Sequence, residues 1–581
     1  MKEAFKHITW FFKLEWKKYL LCAILLIIVS VIPVFPTKFL GLAIDEIVNK
    51  TMTDIKLTFY VLMLLLLPIS VYIVNIFYHY TINYLGHSLS FKLRENYISH
   101  LFELDSEIYE EYTKGDLIAR ASNDLQSLTM LATTFLQQVV YCSALIISAL
   151  VMMIIIHPLL TLCSISFMPI AIFFLNKSRI KKRKYYKQHY EIYAQMTENV
   201  LETIEGVKTI RAYGKEEDDY RKTKIAIDND VNSWWKILKF EAIYTPLFEC
   251  VYLVAYTIAI GFGSYLVVIG DITAGSLVTY LIYVAMLSSP LITLSTVLNI
   301  INNVGIADER YYEILNREPK VHDDENSRTI NTFKTIEFNN VTFRYSFDSF
   351  DVIKNISFKI NNGETIGIVG PSGSGKSTLI RQLLREFNVT DGEILIDGTD
   401  ISNYKIEDLH NLVGYVPQTN ILFRRTVDEN ILIGNPYATI DEINKAMEIS
   451  DFKKDLPNLT YGSSTMVAEM GNSLSGGQRQ RLSIARAIVK NPEILILDDS
   501  LSAVDAITEK NIIKGLQESR KGKTNIIISH RFSAIQSADK IIVLQDGKIT
   551  DIGNHKELLS YDNWYKQQYI NQIKGDRYEE L

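Results

Sequence analysis

The segment GPSGSGKST has the composition of a loop that binds phosphate groups. It lies between a strand-like run, ETIGIV, and a helix-like run, LIRQLLREF. Glycines let backbone N–H groups surround phosphates without Cβ clashes, and the start of the helix adds a favourable partial charge. Lys376 can reach the β- and γ-phosphates of ATP, and the hydroxyl of Ser377 can ligate Mg²⁺. The predicted loop consists of Gly370, Pro371, Ser372, Gly373, Ser374, Gly375, Lys376, Ser377 and Thr378.

A second chemical signal is the run ILILDDS, residues 494–500, which is typical of a buried strand that ends in two carboxylates. Asp498 can hold Mg²⁺ or its water, and Asp499 occupies the next position, where a carboxylate can polarise an attacking water. Without the glycine loop this pair could be an ordinary strand end. Together with the loop it predicts ATP hydrolysis.

The segment LSGGQ precedes a strongly helical run, RQRLSIARAIV. Small residues at a helix start expose backbone N–H groups, which predicts a second anion site formed by Ser475, Gly476, Gly477 and Gln478. One chain thus carries two phosphate-binding devices, and they need not act on the same nucleotide within that chain.

These motifs need an α/β domain to position them. From residue 335 onward, short β-rich runs alternate with helical segments, which predicts a nucleotide-binding domain over 335–581. The polar stretch 316–334 is the predicted linker, and 1–315 is a predicted helical membrane domain. The net charge of −6 does not suggest a nucleic-acid partner.

The first half contains long stretches without a charged residue, and a membrane-spanning helix needs about 20 apolar residues. Residues 125–176 would measure roughly 78 Å as one helix, so they must fold back, and His157-Pro158 is the predicted turn. Six spans are predicted, with cytoplasmic extensions between them. They lie within 19–37, 57–91, 125–176 (two spans), 250–270 and 272–307.

Basic residues precede the first span and follow the fourth, which predicts that both termini and the ATP-binding domain lie in the cytoplasm, at the cell membrane. The first twenty residues alternate Lys with Trp, Phe and Leu, as in an amphipathic helix on the inner membrane surface. The inner connections 92–124 and 177–240 extend the membrane helices, and Gly115 and Gly214 are the predicted points of reversal.

Glu249 is a carboxylate within an apolar run, PLFECVYLVAY, near the start of span five. An ionisable group inside a membrane is a candidate functional residue, so contact with a cationic substrate is one hypothesis. Access to water or to a partner is the alternative. The four cysteines lie in apolar stretches and are not spaced as metal ligands.

Taken together, the six spans, linker, phosphate loop, LSGGQ and ILILDD resemble an ABC half-transporter of the exporter type over nearly the whole chain. The resemblance implies an ABC type-1 exporter-like membrane domain of six transmembrane helices plus an α/β P-loop nucleotide-binding domain. It also implies a second half-transporter chain as partner. Each ATP would then be held between one subunit's phosphate loop and the other's LSGGQ.

Further positions match the same family. Tyr345 resembles the aromatic residue that stacks on adenine, and Gln418 resembles the glutamine that senses magnesium. Residues 500–505 (SLSAVD) resemble the loop that crosses to the partner, and His530 resembles the histidine that contacts the γ-phosphate. The segments GDLIARASND and RAYGKEED resemble the two regions that couple the membrane domain to the motor.

Asp499 departs from the family pattern, which usually has Glu at that position. The shorter carboxylate would lie about an ångström from the usual place, which can cost about a hundredfold in rate. The pattern resembles the weak-site subunit of heterodimeric bacterial multidrug exporters, with small amphiphilic substrates and membrane lipids as further partners. A homodimer with two slow sites is the alternative.

The sequence leaves three classes of function open: export of amphiphilic or multidrug-type compounds, transport of a lipid or peptide, and a non-transport role as a regulator or sensor. The charge-free spans and the complete motor set favour transport. A soluble ATPase that acts on nucleic acid is excluded by the six spans. The direction of transport follows from the family resemblance alone.

Overall fold

The computed structural model describes the chain over residues 2–166, 168–345 and 350–579. Within these ranges, some side chains lie outside the described part, namely those at positions 2, 168–181, 183, 244–245, 247–252, 291–292, 294–296, 298–299, 302 and 574–579. The chain forms two compact units, one of Met1–Ile98 with Ile118–Leu315 and the other of Ser99–Leu117 with Asn316–Leu581.

The amino-terminal half is helical throughout. Its helices are α1 (Lys2–Leu14), α2 (Trp16–Val31), α3 (Val34–Val48), α4 (Asp54–Glu103), α5 (Glu107–Glu111), α6 (Lys114–Ala119), α7 (Leu125–Met130), α8 (Leu136–Ile156), α9 (Pro158–Ile165), α10 (Met168–Ala212), α11 (Glu216–Ile269), α12 (Ala274–Met286) and α13 (Ser288–Leu315). Two π-helical segments, Arg120–Asp124 and Leu131–Phe135, lie on either side of α7.

Over the described residues these helices make six passes, as the sequence predicts: α2–α3, α4, α6–α8, α9–α10, α11 and α12–α13. Three helical stretches in the described part are long and apolar enough to cross a membrane: Trp16–Val48, Asp54–Glu103 and Lys114–Ile156. Shorter apolar helices cover Leu253–Ile269 and Ala274–Pro290.

The turns between α8 and α9 and between α11 and α12 follow from local chemistry. His157 is extended, with φ −162°, and its ring nitrogen accepts a hydrogen bond from the N–H of Leu160, so α9 begins at Pro158. Gly270 ends α11 with φ +86°, a conformation that glycine adopts without steric cost. Both predicted turns are confirmed.

The reversals predicted within the two long polar connections, 92–124 and 177–240, differ in how well the sequence located them. Gly214, with φ +60°, separates α10 from α11 as predicted. Gly115 was expected to break the other connection, and this prediction is wrong, because Gly115 lies inside α6. The Thr113 hydroxyl accepts a hydrogen bond from the N–H of Asp116 and starts that helix, so the reversal falls earlier, around α5.

The carboxyl-terminal half is α/β. Its strands are β1 (Thr335–Phe343), β2 (Ile353–Asn361), β3 (Thr365–Val369), β4 (Asp391–Ile396), β5 (Thr399–Asp400), β6 (Val413–Val416), β7 (Ile494–Asp498), β8 (Thr524–Ile528), β9 (Lys540–Gln545) and β10 (Lys548–Gly553). Its helices are α14 (Lys376–Leu383), α15 (Ile406–Leu412), α16 (Val427–Leu432), α17 (Ile440–Ile449), α18 (Gly476–Ile488), α19 (Ala506–Ser519), α20 (His555–Leu559) and α21 (Trp564–Glu579).

The strands form two sheets. A four-stranded antiparallel sheet has the order β2-β1-β4-β5, and a six-stranded sheet has the order β10-β9-β3-β8-β7-β6. In the larger sheet β9, β3, β8, β7 and β6 are parallel. All residues of β7 and β8 are buried, which is typical of central parallel strands with both faces covered. The carboxyl ends of the parallel strands therefore share one edge, where ligands of α/β sheets bind.

Candidate functional site

The phosphate loop joins the end of β3 to the start of α14. A Cβ on Gly370 would lie 1.9 Å from the carbonyl oxygen of Leu544, so only glycine fits there. Lys376 is buried, and its Nζ donates to the carbonyl oxygens of Gly370 (3.0 Å) and Pro371 (2.8 Å). Burial lowers the pKa of Lys376, while the negative charges of Asp499 and Asp498 raise it in part.

Asp498 is the last residue of β7 and is 2 % exposed. Its Oδ1 accepts a hydrogen bond from Ser377 Oγ (3.0 Å), and its Oδ2 accepts one from the hydroxyl of Tyr415 (3.3 Å). Burial raises the pKa of Asp498, while these two hydrogen bonds lower it in part. The fold thus brings the two predicted magnesium ligands at the start of α14 and the end of β7 into contact.

Asp499 follows directly and has φ +46°, in the left-handed region that aspartate tolerates better than most residues. Its N–H donates to the carbonyl oxygen of Ile528 (2.9 Å), and its own carbonyl oxygen accepts from Ser502 Oγ (2.9 Å). The backbone of Asp499 is therefore held on both sides by hydrogen bonds.

Gln418 and His530 lie just beyond β6 and β8 and are both exposed. Because β6, β7 and β8 are adjacent parallel strands, their carboxyl ends put both residues at the edge that carries Asp498.

Tyr345 is half-buried beyond the end of β1, and its hydroxyl lies 3.1 Å from Thr378 Oγ1 in the phosphate-loop helix. Its ring packs edge-on against Phe343 (centroids 4.8 Å apart) and Phe387 (5.4 Å). An aromatic ring is therefore fixed beside the phosphate loop.

The LSGGQ segment starts α18 through a capping box. Ser475 Oγ accepts from the N–H of Gln478 (3.3 Å), and Gln478 Oε1 accepts from the N–H of Ser475 (2.9 Å). Asp455 supports this helix from outside the motif, since it accepts two hydrogen bonds of 2.8 Å from the buried guanidinium of Arg481. The sequence motif did not reveal Asp455, which lies twenty residues upstream of Ser475.

Hydrogen bonds connect segment 500–505 to α18 and to Arg531. The side chain of Gln480 in α18 accepts a hydrogen bond from the N–H of Ala503 (2.9 Å). Arg531, next to His530, donates to the carbonyl oxygens of Ser502 (3.0 Å) and Val504 (2.8 Å). This crossing segment therefore connects the LSGGQ helix to the end of β8.

The short helix α5 contacts the α/β domain through ion pairs, and sequence reasoning missed them. Arg381 in α14 donates to Glu110 of α5 (3.0 Å) and to Glu386 (2.6 Å), and its guanidinium lies 4.7 Å from the ring centroid of Phe387. These charged residues carry no local motif, so only the fold shows that they meet. Arg381 thus connects Phe387, whose ring packs against Tyr345, with α5, the helix at the reversal that follows α4 in the chain.

Glu249, the hypothesised substrate contact, lies on α11, and its side chain falls outside the described residues. Within the described part, no group of three or more His, Cys, Asp or Glu side chains could hold a metal ion.

Comparison with known proteins gives a consistent assignment. The family model for the ABC transporter transmembrane region matches residues 19–291, and the model for the ABC transporter family matches residues 353–502. The chain is 37% identical to the probable multidrug resistance ABC transporter ATP-binding/permease protein YheI of Bacillus subtilis (strain 168), over 98% of both chains. It is 30% identical to the multidrug resistance-like ATP-binding protein MdlA of Escherichia coli (strain K12), over 99% of this chain and 97% of that protein.

A solved structure of a bacterial Atm1-family ABC exporter with ATP bound superimposes with a TM-score of 0.81, at 25% identity, over 96% of this chain and 99% of that one. The predicted fold class is thereby confirmed. ABC exporters act as dimers, and the ATP-binding domain of the family binds ATP. The chain therefore belongs to the ABC transporter family, as a half-transporter whose membrane region is fused to an ATP-binding domain and which uses ATP hydrolysis to drive export.

Proposed function

We propose that this chain is the weak-site half of a heterodimer that exports amphiphilic, multidrug-type compounds across the cytoplasmic membrane of a bacterium by alternating access. The names of the two relatives, which describe multidrug resistance proteins, support this substrate class. The proposed division is a membrane domain over 1–315, a linker over 316–334 and a cytoplasmic ATP-binding domain over 335–581.

The proposed nucleotide site uses the edge of the larger sheet. Lys376 binds the β- and γ-phosphates, Tyr345 stacks on adenine, and His530 contacts the γ-phosphate. Mg²⁺ would be held by Ser377, Asp498 and Gln418. The contact between Ser377 and Asp498 supports this, because magnesium is commonly bound by one or two carboxylates and hydroxyls together with the substrate's phosphates. Bound magnesium would offset the charge of the transferred phosphoryl group.

The observation that carries the heterodimer proposal is the fixed backbone of Asp499. Its N–H and its carbonyl oxygen are both hydrogen-bonded, so the chain cannot advance to compensate for a side chain one methylene shorter than glutamate. A carboxylate about 1 Å short of the water would slow hydrolysis by about a hundredfold. By contrast, the capping box of Ser475 and Gln478 is complete and would serve the partner's nucleotide.

The test is ATP hydrolysis by the purified chain, alone and with the half-transporter that co-purifies with it from the native membrane. We expect little activity alone and full activity, stimulated by lipophilic cations, in the complex. Equal turnover in both preparations would contradict the heterodimer.

Two variants of this chain, assayed in the complex, distinguish hydrolysis at its own ATP site from hydrolysis at the partner's site. Asp499→Asn should change turnover little, because the partner's phosphate loop does most of the hydrolysis. Ser475→Arg should abolish it, because this chain's LSGGQ closes the partner's site. A homodimer with two slow sites predicts instead that Asp499→Asn removes most of the activity.

A further inference from the structure

His530 lies in a turn, residues 529–533, whose backbone is bonded to the body of the ATP-binding domain. The N–H of Ser529 donates to the carbonyl oxygen of Ile368 (3.4 Å) in β3, the strand that leads into the phosphate loop. The hydroxyl of Ser529 accepts a hydrogen bond from the N–H of Arg531 (3.0 Å). The residues on either side of His530 are therefore bonded to each other, while its own side chain is exposed.

The carboxyl-terminal helix α21 holds the far side of this turn. The N–H of Phe532 donates to the side-chain oxygen of Gln572 in α21 (2.9 Å). The ring of Phe532 is buried and packs edge-on against Tyr565 (centroids 4.9 Å apart) and Tyr569 (5.7 Å). The turn is thus anchored one residue before His530 and two residues after it.

The side chain of Arg531 also holds the turn. Its guanidinium donates to the carbonyl oxygens of Ser502 (3.0 Å) and Val504 (2.8 Å) and to the carboxylate of Glu509 in α19 (2.8 Å). Glu509 is 3% exposed, and a buried carboxylate is costly unless it is paired and hydrogen-bonded. The hydroxyl of Ser533, in the same turn, also donates to Glu509. The carboxylate therefore fixes the direction in which the Arg531 side chain points.

We propose that Arg531 is a positioning residue that aims the imidazole of His530 at the γ-phosphate of ATP, which rests on the contact that the proposed function gives to His530. An exposed imidazole is not aimed by packing, so its direction depends on the backbone that carries it. A hydrogen bond spans only about 2.7–3.2 Å between heavy atoms, so a shift of the turn by about 1 Å would break the contact. The bonds of Arg531 prevent such a shift.

The experiment measures how much better this chain binds an ATP analogue than ADP, because only the former has a γ-phosphate. The full chain, in complex with its co-purifying partner, is photolabelled with azido-ADP, and the label is displaced by ADP or by AMP-PNP, which resists hydrolysis. Arg531→Met/Glu509→Gln leaves no buried charge unpaired. It should lower the preference for AMP-PNP about tenfold, as loss of a hydrogen bond to a charged group does, and leave the affinity for ADP unchanged.

His530→Ala tests the contact itself and should lower the preference by the same factor. Adding it to the Arg531 variant should lower the preference no further, because Arg531 acts through His530; a second tenfold loss would overturn the proposal. An unchanged preference in His530→Ala would refute the role of His530 in the proposed function. A loss in His530→Ala together with an unchanged preference in Arg531→Met/Glu509→Gln would overturn the positioning role alone.

Arg520 offers a matched control at the opposite end of the same strands. Its buried guanidinium donates to the carbonyl oxygens of Pro492 (3.0 Å) and Thr524 (3.1 Å) and to the side chain of Asn525 (2.7 Å), at the amino ends of β7 and β8. Arg520→Met should lower the unfolding temperature and leave the preference for AMP-PNP unchanged. An equal loss of preference in Arg520→Met would show a general effect of destabilisation and overturn the role of Arg531.

Discussion

Asp499→Glu is the substitution that tests most directly whether the length of one side chain limits this chain's own ATP site. The N–H of Asp499 is bonded to the carbonyl oxygen of Ile528 and its carbonyl oxygen to Ser502 Oγ. Because the backbone is held on both sides, the added methylene advances the carboxylate toward the attacking water instead of being absorbed by a shift of the chain.

The expected gain can be compared with the strain that glutamate introduces. Recovering about 1 Å is worth about a hundredfold in rate, or about 2.7 kcal/mol of activation free energy. At φ +46°, the left-handed conformation costs L-residues roughly 1–2 kcal/mol, and glutamate lacks the short polar side chain that makes aspartate more tolerant of it. This strain raises the free energies of the ground state and the transition state equally. It therefore lowers the stability of the folded domain but leaves most of the gain in hydrolysis rate.

The assay uses the heterodimer with a partner whose own catalytic glutamate is replaced by glutamine, so that the remaining hydrolysis comes from this chain's phosphate loop. We expect Asp499→Glu to raise that rate by about a hundredfold. Asp499→Asn in the same background should not raise it. A rate that stays low with glutamate, while ATP still binds, would refute the argument from side-chain length.

Three further predictions follow from the site and its supports. Lys376→Ala removes the buried ammonium of the phosphate loop and should abolish photolabelling of this chain by azido-ATP, while labelling of the partner persists. Glu110→Gln breaks the ion pair with Arg381, which contributes at most about 1 kcal/mol, and should reduce the stimulation of ATPase activity by substrate more than Glu103→Gln, whose side chain is 68% exposed. Asp455→Leu leaves the buried Arg481 unpaired and should destabilise the domain by about 3–5 kcal/mol, seen as a lower unfolding temperature of the purified full chain, whereas Asp455→Leu/Arg481→Met should recover most of the loss.

The sequence was most informative where function depends on consecutive residues. The phosphate loop, the LSGGQ segment and the paired carboxylates are each local, and each is followed or preceded by the strand or helix that its chemistry requires. The turns at His157 and Gly270 were also predictable, because a charge-free membrane span has a maximum length, and proline and glycine mark where the chain reverses.

The sequence was least informative where function depends on residues far apart in the chain. Arg381 and Glu110 are ordinary surface-type residues, and only the packing of α5 within the second unit makes them partners. Asp455 similarly supports α18 through a buried contact that no spacing rule indicates. The misplaced reversal at Gly115 has a different, local cause, since the nearby Thr113 caps α6 and outweighs the helix-breaking tendency of the glycine.

The weak-site proposal raises the question of why a chain with a poor catalytic residue would keep a complete set of surrounding contacts. The hydrogen bonds of segment 500–505 suggest a physical reason. Gln480, on the LSGGQ helix, bonds Ala503, and the neighbouring Ser502 bonds the carbonyl oxygen of Asp499. If the partner's nucleotide moves α18, these two hydrogen bonds would transmit the movement to the backbone of Asp499. Occupancy of the partner's site can therefore alter this chain's site even when this chain hydrolyses ATP slowly.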